Sequence, residues 1–216
     1  MMRSPGLFVR RAGLAALIGA AALSVAGCGE MARTGQSPAY LIIEALEGAS
    51  GADPNAFGTV LASDVVTLVD VPGQTQRVPT IFADLGRVRL RLALRNEGRP
   101  GAPNAPTTLN EITILRYRVQ YRRSDGRNVP GVDVPYGFDG AFTATVPAGG
   151  SLSAGFDLVR IQAKLEPPLA NLANFGGQNV ISTIADVTFY GRDQAGNEVS
   201  ASGSISVNFS DFGDPS

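Results

Sequence analysis

Residues 199–210 read Val-Ser-Ala-Ser-Gly-Ser-Ile-Ser-Val-Asn-Phe-Ser, with a small or apolar side chain at every odd position and Ser or Asn at every even one. An extended chain sends successive side chains to opposite faces, so this stretch has one dry face and one wet face. That is the pattern of an antiparallel strand in a two-layer protein. Working backwards, Asp193-Gln194-Ala195-Gly196-Asn197 predicts a five-residue hairpin loop, and residues 180–190 predict the strand that it joins. The same alternation recurs at 87–95, where Val88, Leu90, Leu92 and Leu94 oppose Arg87, Arg89, Arg91, Ala93 and Arg95. It recurs again at 115–122, where Leu115, Tyr117, Val119 and Tyr121 oppose Arg116, Arg118, Gln120 and Arg122. Further strands are expected at 40–46, 59–69, 142–146 and 152–159.

The punctuation agrees with an all-β chain. Ser124-Asp125-Gly126-Arg127 is a hairpin signal, because Asp and Gly tolerate positive φ. Val129-Pro130-Gly131 and Val134-Pro135 confine the returning strand to a sheet edge, since each Pro removes a ladder donor. The one helical candidate is 168–175, with Pro at its start and Gly176-Gly177 after it. About 7–9 strands with long connections at 96–110 and 165–178 predict a single Greek-key β-sandwich over 39–212, with a short tail at 213–216. Two stretches look familiar. ILRYRVQYRRSDG at 114–126 resembles the third strand of fibronectin type III modules, and VTFYGRDQAGNEVSASGSISVN at 187–208 resembles the closing hairpin of bacterial Ig-like domains. The resemblance implies an Ig-like sandwich architecture and no ligand.

The beginning of the chain has a different character. Arg3, Arg10 and Arg11 precede an uncharged stretch from Ala12 to Gly27 rich in Ala and Leu. As a helix it would span about 24 Å at roughly 1.5 Å per residue, short of the roughly 30 Å hydrocarbon core of a bilayer. It therefore reads as a secretory leader over 1–27. The leader ends Val25-Ala26-Gly27-Cys28, which resembles the lipobox of bacterial lipoproteins. The resemblance implies a diacylglycerol thioether on Cys28, cleavage between Gly27 and Cys28, and usually acylation of the new amino terminus. Two or three acyl chains anchor stably where one is marginal. The competing reading is an ordinary signal peptide cut nearby that leaves a free thiol. Residue 29 is Gly, not the Asp that marks inner-membrane retention in enteric lipoproteins, which points to the outer membrane. Residues 28–38, small and polar, read as a tether.

Composition narrows the chemistry. The 216 residues include one Cys, no His and no Trp, so a serine triad, a Cys/His dyad, a thiolate zinc site and an internal disulfide are all excluded. No G-x-S-x-G or S-x-x-K is present, nothing singles out a carboxylate pair, and no cofactor motif appears. The expectation is a non-enzyme. The total charge of −1 conceals a segregation: residues 28–76 carry −5, residues 77–127 carry +7 and residues 128–216 carry −6. An acidic mature chain outside the cytoplasm is a poor partner for nucleic acid.

Three surfaces remain as candidates. Arg87, Arg89, Arg91, Arg95, Arg116, Arg118 and Arg122 alternate outward on two strands, and stacked guanidinium groups bind phosphate or carboxylate bidentately. In the envelope the anions would be lipopolysaccharide phosphates, acidic polysaccharide or an acidic protein. Against this, a folded sheet sets carboxylates opposite like charges, with Asp157 and Asp186 in place to do so. Tyr136 and Phe138, in a Pro- and Gly-rich segment, form a candidate sugar-stacking patch, whereas Tyr117 and Tyr121 share the apolar parity of their strand and belong to the core. Asp193, Asn197 and Glu198 share one loop, Asp133 and Asp139 another, and Asp211 and Asp214 the C-terminus. Such oxygens suit calcium, but Asp, Asn and Gly are also what tight turns use. The sequence-level conclusion is a lipid-anchored envelope protein acting as a structural or protein-interaction module, with glycan or anion recognition as the alternative.

Overall fold

The alternating stretch 199–210 lies in a 13-residue strand within the largest of four sheets, two of which are only two-stranded. A computed structural model describes residues 37–212. The expected leader, the lipobox residues Val25, Ala26 and Gly27, Cys28, most of the tether and the tail 213–216 lie outside the described residues. The strands in chain order are β1 (Ala39–Ala49), β2 (Val60–Asp64), β3 (Thr67–Val69), β4 (Val78–Thr80), β5 (Asp84–Leu94) and β6 (Gly98–Arg99). They continue with β7 (Ala102–Pro103), β8 (Ile112–Arg122), β9 (Phe138–Val146), β10 (Ser151–Val159), β11 (Ile181–Asp193) and β12 (Glu198–Ser210). One short helix, α1 (Ile161–Leu165), follows β10.

One sheet has the order β1-β5-β10 and the other β2-β12-β11-β8-β9. Neighbours are antiparallel except β2, which runs parallel to β12. The chain therefore starts in one sheet as β1 and crosses to the far edge of the other as β2, while β5 and β10 face β8, β11 and β12. This is an Ig-like Greek-key sandwich. It has neither the inter-sheet disulfide nor the buried Trp of antibody domains. In their place Tyr117, Phe138, Phe142, Phe156 and Phe189 pack as an aromatic cluster with edge-to-face contacts, such as Tyr117 on Phe156 at 5.1 Å and Phe156 on Phe189 at 5.3 Å between ring centroids. Two tyrosines of β8 join the sheets: the Tyr121 hydroxyl donates to the carbonyl oxygen of Leu158 at 2.6 Å, and the Tyr117 ring packs on Phe156 of β10.

Several local expectations are corrected. A bulge between Ile114 and Arg116 flips the parity of β8, so Leu115 points outward and is 48 % exposed while Ile112 and Ile114 are buried. The 59–69 stretch breaks at Asp64, where β2 ends and β3 departs to pair with β4. Gly126 adopts positive φ, as Asp-Gly turns do, but the connection runs from residue 123 to 137 and β9 begins only at Phe138. A 3-10 helix at Leu169–Leu172 lies within the expected 168–175, with Pro168 before it, and an unexpected helical turn, Ile161–Leu165, precedes it. Ser37 and Pro38, expected in the tether, belong to the sandwich: Arg95 Nε donates to the Ser37 carbonyl at 2.9 Å and Arg95 N to that of Pro38 at 2.8 Å.

Strand directions sort the loops into two poles. Ser37, the 95–111 connection, the 147–150 turn and the 194–197 turn lie at the pole where β1 begins. The segment between β2 and β5, the 123–137 loop, the corner at 160–180 and the end of β12 lie at the other.

Candidate functional site

The seven strand arginines do not share a surface, because β5 and β8 belong to opposite sheets and their outward faces point away from one another. Most are engaged internally. On the three-stranded sheet, Arg87 meets Glu47 at 2.8 Å and lies over the ring of Phe57, and Arg91 meets Glu44 at 3.0 Å. The register makes this possible, since a bulge at residues 43–45 of β1 turns Glu44 outward beside Arg91. On the five-stranded sheet, Arg116 meets Asp139 at 3.2 Å and Arg122 meets Asp186 at 2.6 Å. Asp186 is the carboxylate that the sequence placed to balance these strands, whereas Asp157 lies on β10. The Arg95 guanidinium is spent on the Ser37 carbonyl and on the ring of Tyr40. Arg89 and Arg118 make no ion pair with the described residues, and they sit on opposite faces. Arg89 is flanked by Ala45 and Ser153, and Arg118 by Thr188 and Asp139. The expected anion platform across two strands is therefore not formed.

The aromatic patch is likewise divided. Tyr136 is 56 % exposed, but Phe138 is 6 % exposed and sits against Tyr117 with Arg160 over its ring at 3.9 Å. Phe138 begins β9, and its inward parity places it in the core. The candidate cation loop is a turn. Asp193 Oδ1 accepts from the backbone N–H groups of Ala195 at 3.0 Å and Asn197 at 2.9 Å, and Oδ2 accepts from the Asn197 side chain at 2.9 Å. Burial raises the pKa of Asp193, but the hydrogen bonds from Asn197, Ser37 and Ala195 outweigh it and hold the carboxyl below the usual range. Glu198 pairs with Arg192 at 3.1 Å, Asp139 with Arg116, and Asp133 accepts from Val129 N. Asp214 lies outside the described residues. Among the described residues, no group of three or more acidic, His or Cys side chains is placed to hold a metal.

A cavity of about 310 Å³ opens on the outer face of the five-stranded sheet, lined by Leu115, Arg116, Tyr190, Gly191, Arg192 and Val199. It exists because the β8 bulge lies beside a register shift between Tyr190 and Gly191 of β11. Gly191 is required there, since a Cβ would collide with the carbonyl oxygen of Thr113. Both cations of the cavity are occupied, Arg116 by Asp139 and by the Tyr190 ring at 3.7 Å, and Arg192 by Glu198.

The most unusual site went unread in the sequence. Lys164, the only lysine of the chain, is buried in α1 and its Nζ lies 2.9 Å from Asp84 Oδ1 at the start of β5. The two side chains are 1 % and 0 % exposed. Nζ also donates to the carbonyl oxygen of Asp64 at 2.7 Å, Gly51 N donates to Asp84 Oδ1 at 2.9 Å, and Ser63 Oγ donates to Oδ2 at 2.5 Å. Burial pushes the Asp84 pKa up, while the charge of Lys164 and the hydrogen bonds from Ser63 and Gly51 oppose the rise. The signal available beforehand was composition: one Lys against 17 Arg, placed beside apolar residues.

Compared with known proteins, the chain matches no family model, no curated protein and no solved structure.

Proposed function

We propose that the protein is a lipid-anchored, non-catalytic module of the bacterial cell envelope that docks another protein through the loop pole opposite Ser37. The single observation that carries this reading is the placement of exposed apolar side chains. Val129, Val132 and Tyr136 in the 123–137 loop, and Ile161, Leu165 and Phe175 around the neighbouring corner, are all exposed at that pole. Ser37, where the described residues begin, sits at the other pole. Protein interfaces concentrate aromatic and apolar residues in their centres and deplete them of charge. The charges of the 123–137 loop are neutralised within it, Arg123 and Arg127 both pairing with Asp125 at 2.7 and 2.9 Å. This leaves apolar contact as the attraction on offer and makes a protein the fitting partner.

The Cys28→Ser variant tests the anchor: it should move the protein from the membrane pellet to the soluble envelope fraction, and continued sedimentation would reject the lipid. A photo-crosslinker in place of Tyr136 tests the docking pole. It should capture one discrete protein in intact cells, whereas the same probe at Leu109, exposed at the other pole, should not; equal capture at both positions would reject the reading. The outer membrane is the proposed location, on the strength of Gly29. Anion recognition, the second reading, rests on Arg89, which has the small neighbours Ala45 and Ser153 and no carboxylate partner among the described residues.

A further inference from the structure

We propose that Lys164 and Asp84 condense into an intramolecular amide bond that staples the corner after β10 to the start of β5. The reactive atoms are already in place, with Nζ and Oδ1 at 2.9 Å and water excluded from both side chains. Fixing a nucleophile beside a carbonyl carbon in one geometry removes the entropic part of the barrier. The dry surroundings supply the driving force, because a buried ion pair forfeits the hydration of both charges and a neutral amide does not. Burial also favours the un-ionised carboxyl of Asp84.

The step needs no co-reactant. The ammonium passes one proton to Oδ1 and the freed lone pair attacks Cγ. The Nζ–Cγ bond forms and the Cγ–Oδ1 bond breaks. Oδ1 departs as water with two of the three ammonium protons, and the third stays on the amide nitrogen. No charge is left over. Two of the three neighbouring polar groups fit the product: the amide N–H is left beside the Asp64 carbonyl that Nζ already contacts, and the amide oxygen, Oδ2, keeps the Ser63 hydroxyl as its donor, while Gly51 N loses the departing Oδ1 as its acceptor. Ser63 also polarises the carboxyl in the tetrahedral state, when charge accumulates on Oδ2.

Because the chain has one lysine, a tryptic digest of the purified, denatured wild-type protein decides the matter. With a free Lys164 the digest yields the linear peptides 78–87 and 161–164. With the amide, cleavage after Lys164 is blocked, and 78–87 is recovered joined to 161–192 with a mass lower by one water. Recovery of linear 161–164 as the dominant product overturns the proposal. Lys164→Arg keeps a buried cation but should abolish the joined peptide; if a joined species persists in that variant, the assignment to Lys164 is wrong.

Discussion

At the scale of single residues, the fold is held by polar groups that the two sheets exchange. Tyr121 is buried, and its hydroxyl is committed to Leu158 O, so Tyr121→Phe leaves that carbonyl unsatisfied and should cost about 1–3 kcal/mol in denaturant unfolding. An unchanged midpoint would show that the tie is replaceable. Asp193 gives a pH signature. Its folded pKa is depressed, so its contribution is complete above the ordinary Asp value of about 3.9 and disappears as pH falls through the lower folded value. The stability gap between wild type and Asp193→Asn should therefore be widest near neutrality and shrink under acid, and a gap independent of pH would contradict this. A free Asp84 would act with the opposite sign: its raised folded pKa makes the contribution greatest in acid and lost as pH rises.

At the scale of elements, what was legible followed from local periodicity. The alternation of 199–210 gives β12 with its inward and outward sets correct up to Ser210, which is buried, and parity alone places Tyr117 and Tyr121 in the core. Leu115 was misplaced because a bulge costs one residue of register without leaving any mark in composition. Phe138 was read as loop because Pro and Gly precede it, yet β9 starts at that very residue. The pairing of arginines with Glu44 and Glu47 was beyond reach, since it depends on which strand neighbours β5, a long-range property. Lys164 was missed for the same reason: its partners Asp84 and Asp64 come from distant segments. The aromatic cluster also sets a test between elements. Gly140 of β9 faces the ring of Tyr117, and a methyl there would occupy ring space. Gly140→Ala should destabilise the domain by about 1–3 kcal/mol through overpacking, read as a lower thermal midpoint. An unshifted midpoint would mean that the Tyr117 ring can move aside.

At the scale of the whole molecule, Lys164 and Asp84 bind together the corner after β10, the end of β2, the loop at Gly51 and the start of β5. Lys164→Met would strand a buried carboxylate and should destabilise the domain by about 3–5 kcal/mol, measured as one cooperative unfolding transition. Loss confined to a local segment, seen by hydrogen exchange, would show that the corner unfolds on its own. The parallel pairing of β2 with β12 has a consequence in time. The sheet that receives β2 pairs it with β12, the last of the described strands, and Val65 N and Phe212 N join the two segments through Ser210 O and Asp64 Oδ1. A chain made amino end first therefore carries β2 without its partner in this sheet until β12 has been synthesised, so that edge of the sandwich closes late.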